Sequence, residues 1–278
     1  MLKMVRIFFH DKMATISLFI LLFFALVALL APLISPYPPG ESHTDPKDKL
    51  APPTLQYILG TDQLGRDVLS RVFWGARTSQ GIAYSTAIGV LLLGLPLGFI
   101  SGFFGGILDS LLMRVVDVFL VIPPFILILI LVAIFGSSQW ILVFVLSITL
   151  WPFIARIARA EALSHRTREY NLVSRALGAS DFHILFYHVI PNCLFPVIAG
   201  MALIMADIIL SEAALGYLGV GDPSVVSWGR MLSDAQKYMY FSWTLPVFPG
   251  IAISLVIFAY NMVGGGLNEA LSKGRGAW

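Results

Sequence analysis

Long apolar runs separated by short polar segments organise this chain. Charged residues are absent from Met13–Gly40, Thr78–Leu108, Val118–Ala155 and Tyr238–Asn268, and each run equals or exceeds the roughly 20 residues a helix needs to cross a hydrocarbon core. The Val118–Ala155 run is long enough for two crossings and breaks at Gly136-Ser137-Ser138-Gln139, a polar turn between two apolar helices. A further run, 193–215, is interrupted only by Asp207 and Glu212. The pattern predicts six helices near 13–35, 81–104, 114–136, 140–162, 193–215 and 246–268.

The segments between these spans carry their own signals. Residues 36–80 form an external segment that opens with Pro-rich sequence and a mixed-charge patch, ESHTDPKDK, at 41–49. Leu69, Val72 and Phe73 recur there at three- and four-residue spacing, as in a short interfacial helix, and Tyr57 and Trp74 suit a headgroup depth. Residues 216–245 form an external cap with four aromatic residues after Trp228 (Tyr238, Tyr240, Phe241 and Trp243); Trp228, Tyr238, Tyr240 and Trp243 read as interfacial anchors or, second, as a docking face for a partner protein. A loop at 163–192 reads as a helix from Glu161 to Leu177, a left-handed Gly178, and a second short helix capped by Ser180 or Asp181 and ended by Pro191. Ile184, Leu185 and Tyr187/His188 face one side or the other of that second helix. The chain thus divides into an N-terminal tail and first helix (1–35), the external segment (36–80), a core of five helices (81–268) and a tail (269–278).

Composition narrows the class. Hydrophobic residues make up 58% of 278 positions and charged residues 12%, about half the charged share of a soluble domain; the chain is an all-α polytopic membrane protein. Lys3, Arg6, Lys12, Arg114, Arg156, Arg159, Arg166, Arg168, Arg175, Lys273 and Arg275 fall on the side of the N-terminus, against Lys47, Lys49, Arg66, Arg71, Arg77, Arg230 and Lys237 on the other. Cytoplasmic loops hold the excess of Lys and Arg, so both termini are expected inside. The first apolar run is too long for a signal peptide, and Pro32, Pro36, Pro38 and Pro39 follow it. Cys193 is the single cysteine and permits no internal disulfide. A net charge of +2 gives no reason to expect nucleic acid.

Ionisable groups at membrane depth are costly and favour a bundle interior or an aqueous path. Asp207 is a pathway candidate that could meet a peptide ammonium or a hydrated metal, or could bond Ser211 or a facing helix. Glu212, nearer the outer end, could line the pathway or anchor the cap. Arg114 and Asp117, three apart, pair locally. His183 and His188 sit on the loop away from any carboxylate cluster, and His10, His43 and His165 are scattered. No nucleophile or metal set, and no His-Glu-x-x-His, lies on the spans, so neither catalytic residues nor a metal site is assigned. An ion-coupled secondary carrier would also place acids at depth, with inverted repeats around them; no such repeat is evident.

Ala176-Leu177-Gly178-Ala179-Ser180 and His188-Val189-Ile190-Pro191-Asn192 resemble the cytoplasmic signature loop of binding-protein-dependent ABC importer permeases. That loop reads Glu-Ala-Ala, three residues, Gly, nine residues, Ile-x-Leu-Pro. Gly178 and Pro191 stand at the required separation, whereas Leu172, Val173 and Ser174 occupy the Glu-Ala-Ala positions and remove the charged anchor. Leu59-Gly60-Thr61-Asp62-Gln63-Leu64-Gly65-Arg66-Asp67, followed by Ser70-Arg71 and Gly75-Ala76-Arg77-Thr78-Ser79, is similar to the second permease of the dipeptide/oligopeptide/nickel branch. So is the stretch from Leu218 to Tyr238 that holds Trp228-Gly229. The likeness covers about 58–271; Gly265 and Ser272 replace acidic residues usual after the last helix.

The resemblance implies a type I ABC importer permease of six transmembrane helices in a bacterial or archaeal plasma (inner) membrane. It implies no chemistry in this subunit, and the chain lacks a GxxxxGK[ST] phosphate loop. Partners would be a second homologous permease, two cytoplasmic ABC ATPases carrying ATP and Mg, an extracytoplasmic substrate-binding protein, and membrane lipid. Arg168, Glu169, Arg175, Ala176, Leu177, Gly178, Ala179, Ser180 and Pro191 would form the ATPase-coupling loop. Gly60, Asp62, Gly65, Arg66, Asp67, Trp228 and Gly229 would carry the external motif. Cargo would be di- or oligopeptides, or alternatively nickel or a metal chelate.

Overall fold

The computed structural model describes residues 2–39 and 49–275, so most of the mixed-charge patch, 41–48, lies outside the described residues, as does His43. Regular structure among them is helical, with one isolated bridge between Thr61 and Asp67. In chain order the helices are α1 (Leu2–His10), α2 (Lys12–Ile34), α3 (Val68–Phe104), α4 (Gly106–Val121), α5 (Pro124–Phe135), α6 (Gln139–Arg166), α7 (Glu169–Ala176) and α8 (Asp181–Ile184). A wide π turn, Leu185–Val189, then leads into α9 (Ile190–Tyr217), followed by α10 (Trp228–Ala235) and α11 (Thr244–Arg275). Five helices, α2, α3, α6, α9 and α11, are long and apolar enough to cross a membrane, and the α4–α5 pair makes a sixth crossing if counted as one span.

Several element boundaries differ from the sequence reading, each for a local reason. The predicted span 114–136 is two helices bent by 87°, because Pro123 keeps the preceding Ile122 extended (ψ 127°). The short interfacial helix expected at Leu69–Phe73 is the first turns of α3. Asp67 caps that helix by accepting from the Ser70 amide at 2.8 Å, so no break is left before residue 81. The expected helix Glu161–Leu177 is divided at Thr167–Arg168, where the Arg168 amide donates back to the His165 carbonyl (3.1 Å) and the Asn171 side chain donates to the same oxygen (2.7 Å). Pro191 does not end a helix. It stands in the first turn of α9, where a missing N–H costs little, and the π turn before it widens the backbone to admit the ring. The polar break at 136–139 is present, with Gly136 at φ +97° and Ser138 capping α6.

Hydrophobic burial gives little drive for helix association in lipid, so close approach through small residues matters more. The α3–α6 pair follows that rule. Gly89 meets Ser147, Gly94 meets Trp151 and Ile154, Gly98 meets Ala155 and Ala158, and Gly102 meets Arg159 and Ala162. Numbers rise together along both helices, so α3 and α6 run parallel and α4–α5 returns the chain between them. A Cβ at Gly94 would lie 2.9 Å from the Trp151 carbonyl oxygen, too close for any side chain.

Two ends of the bundle are thereby fixed. At one, the Tyr37 amide after α2 donates to Ser70 Oγ at 3.1 Å near the start of α3, and α10 packs nearby; this is the motif end. At the other, Arg166 Nη1 at the end of α6 donates to the Phe104 carbonyl at the end of α3 (3.3 Å); this is the elbow end.

Candidate functional site

The elbow is built from α7, Gly178 and α8. Leu177 closes α7, the Gly178 amide donates to Arg175 O and the Ala179 amide to Ser174 O, both at 3.0 Å, the paired bonds of a Schellman ending. Gly178 adopts φ +89°, a left-handed geometry that costs a residue with a Cβ. Of the two proposed caps, Ser180 serves, accepting from the His183 amide at 3.3 Å, while Asp181 pairs with Arg175 Nη2 at 2.6 Å and straps α7 to α8. Ile184, Leu185 and Val189 are buried in the main core. Tyr187 points out instead, and Leu172, Val173, Leu177, Phe182, Phe186 and Tyr187 stay exposed. Arg168, Glu169, Ala176 and Pro191 are also exposed. At 172–174, where the resemblance expects an acidic anchor, Leu172 and Val173 thus present an apolar edge. Behind it, His165 Nδ1 lies 2.6 Å from the Tyr170 hydroxyl, and burial pushes the Tyr170 phenol above its ordinary value. The His183 and His188 rings are 5.8 Å apart, and among the described residues no group of three His, Cys, Asp or Glu could hold a metal.

At the motif end, Asp62 gathers the tight turn of the Gly60–Asp67 segment. It accepts from the Leu64 and Arg66 amides (2.8 and 3.0 Å), from Arg66 Nε (2.7 Å), and from Arg71. Arg71 Nη2 continues to Asp234 at 3.0 Å, tying the turn to α10. Gly60 and Gly65 take φ +77° and +75°, and the Ala51 carbonyl blocks the Cβ position of Gly60. Trp228 is no interfacial anchor. It is fully buried, its indole donates to Val72 O at 3.0 Å, and its ring seats over Gly75, where a Cβ would lie 2.7 Å from Trp228 Cδ1. Gly229 lets α10 touch the Ala213 backbone of α9. Tyr57 is likewise buried, beside Tyr37 at 5.7 Å. Tyr240, Phe241 and Trp243 remain exposed.

The span acids separate. Glu212 is buried next to Ser79 and Ser227, below α10, and its Oε2 lacks a hydrogen-bond partner among the described residues; it faces the protein interior. Asp207 is exposed on the opposite face of α9 and makes no bond to Ser211 or to any other described residue. The expected Arg114–Asp117 pair is absent, since Asp117 meets Arg156 of α6 at 2.5 Å. The sequence reading missed a second inter-helix pair: Arg159 grips Asp109 through Nε and Nη2, both at 2.6 Å, and Ser101 also donates to Asp109. Fifty residues separate these partners, so no local spacing announces them.

Comparison with known proteins places this geometry. Residues 94–276 match the binding-protein-dependent transport system inner membrane component family, and residues 2–53 match the N-terminal TM domain of oligopeptide transport permease C. The chain is 40% identical over 271 residues to the dipeptide transport system permease protein DppC of Escherichia coli strain K12, covering 95% of this chain and 90% of that protein. It is 36% identical to the oligopeptide transport system permease protein OppC of Bacillus subtilis, covering 95% and 86%. An inward-facing structure of the MetNI methionine ABC transporter superposes with a TM-score of 0.57 at 20% identity, covering 71% of this chain and 96% of that one, which shows the type I permease fold. Helices, elbow and motif end are therefore those of a transmembrane permease subunit, and the chain belongs to the binding-protein-dependent transport system inner membrane component family.

Proposed function

We propose that this chain forms half of the translocation pathway of an ATP-driven importer of di- and oligopeptides, together with a paired permease. Two ATPases carrying ATP and Mg dock on the elbow, and an extracytoplasmic binding protein delivers cargo at the motif end. The elbow end then faces the cytoplasm, with both termini, which agrees with the bias of Lys and Arg. Peptide cargo is supported by the names of the full-length relatives. The observation that carries the coupling role is the Gly178 elbow: it holds Leu172, Val173 and Leu177 in the open while α8 and the π turn run without interruption into α9. ATPase closure would push on this edge and reach α9 directly.

Gly178→Pro removes the Gly178 amide bond to Arg175 and forbids φ +89°. ATPase subunits should fail to co-purify with that variant, and substrate-stimulated hydrolysis by the reconstituted complex should fall at least tenfold; unaltered assembly and hydrolysis would reject the elbow as the coupling element. The same complex, assayed with binding protein plus di-, tri- and longer peptides or nickel, names the cargo. Asp207 is assigned to the pathway as the group that meets a peptide ammonium. Asp207→Asn should reduce uptake of cationic peptides about fivefold more than that of neutral ones, and equal uptake of both would remove Asp207 from the pathway.

A further inference from the structure

A cavity of about 710 Å³ opens at the motif end between α2, the first turns of α3 and the loop before α10, within the usual size of a small-molecule site. Its walls differ in kind. One is the apolar side of α2, at Ala25, Ala28 and Leu29; the other carries four guanidinium groups, Arg66, Arg71, Arg77 and Arg230. Arg66 and Arg71 are committed to Asp62 and Asp234. Arg77 and Arg230 have no ion-pair partner among the described residues, although Asp222 attracts Arg230 through space.

Arg77 has the more informative position. Its Nη1 donates to the Leu29 carbonyl at 3.3 Å and its guanidinium stands 6.0 Å over the Trp74 ring, leaving most of its five donors open. Leu29 is five residues before the end of α2, about 7.5 Å below it at the helical rise of ~1.5 Å per residue. An exposed cation beside an indole within the last turns of a span is the pairing expected at a membrane–water interface. Leu29 is also 69% exposed, and Leu22, Leu26, Leu29 and Leu33 form an exposed stripe down the same helix. The mouth of the cavity therefore adjoins a surface made for acyl chains.

We propose that this cavity is a binding site for an anionic phospholipid, with Arg77 and Arg230 on the headgroup phosphate and a tail along the Leu22–Leu33 stripe of α2. A soluble carboxylate or free phosphate would use the same cations but has no use for the stripe. The bound lipid would fill the space between α2 and α3 and brace the motif end.

The test uses the full chain, co-expressed with its partner subunits, purified and titrated with phosphatidylglycerol or phosphatidylcholine under native mass spectrometry. Phosphatidylglycerol should be retained in preference. Arg77→Gln should lower its retention about fivefold, the effect of one cation near a membrane surface, while Arg77→Lys should hold it within about twofold. If Arg77→Gln does not yield folded protein, Arg230→Gln is read the same way. Equal retention by the wild type and the Gln variant, no preference over phosphatidylcholine, or displacement of the lipid by millimolar inorganic phosphate or a tripeptide would each overturn the assignment.

Discussion

At the residue scale, the motif end depends on buried charges that meet opposite charges: Arg71 pairs through Nη1 and Nη2, while its Nε is buried without a hydrogen-bond partner among the described residues. Asp62 and Arg71 are each about 3% exposed, a position in which an unmatched charge would be severely destabilising. Asp62 tolerates it because two amides and two guanidinium groups converge on its oxygens, and Arg71 because Asp234 takes its Nη2. Removing one partner strands the other, so Asp62→Asn should destabilise the protein by about 3 kcal/mol, measured as a loss of thermal stability in detergent. An Asp62→Asn, Arg71→Met pair should recover part of that loss, since the stranded cation is gone as well. The Gly-x-Asp-x-x-Gly-Arg-Asp spacing marked these residues as a motif. Their reason is local: two left-handed glycines, one helix cap and one ion-pair hub share eight positions, Gly60–Asp67.

At the scale of elements, the apolar pattern located the five long helices and the bent α4–α5 pair, because lipid demands continuous apolar helix and penalises anything else. It could not locate the points where helices bend or join. The α4–α5 bend and the passage through Pro191 depend on single prolines whose effect turns on the neighbouring backbone. Partner choice was equally hidden: Asp117 chose Arg156 over Arg114, and Asp109 chose Arg159, once α4 was laid across α6. The elbow was more legible, since Gly178 and Ser180 act within a few residues of where they stand. A loop tether offers a pH test. Asp222 accepts from the Ser224 hydroxyl and amide and from the Gln139 amide at the start of α6 (3.0 Å), and its bonds to Ser224, above all, hold its carboxyl below the ordinary 3.8. A depressed carboxyl contributes stability above its unfolded value and loses it as pH falls through the folded one. Asp222→Asn should therefore cost about 1 kcal/mol at pH 7, and the gap from wild type should close as the pH falls below about 3.8, read from paired melting curves.

For the whole molecule, the parallel α3–α6 seam sets what substitutions the bundle accepts. Gly98→Leu should block the seam against the Ala155 backbone and leave little monodisperse protein, whereas Gly265→Leu, with no described residue within 4 Å of its Cβ position, should be recovered near wild-type yield. Expression followed by size-exclusion chromatography separates the two. The same seam imposes an order on biogenesis. Gly89, Gly94, Gly98 and Gly102 leave the ribosome about sixty residues ahead of the α6 positions they will meet, which at roughly 5–20 residues per second is a wait of about 3–12 s. Throughout it a glycine groove stands open in the bilayer without its mate. Nascent chains stalled inside that window should be the ones that membrane quality control removes, and chains stalled after Arg166 the first to escape it.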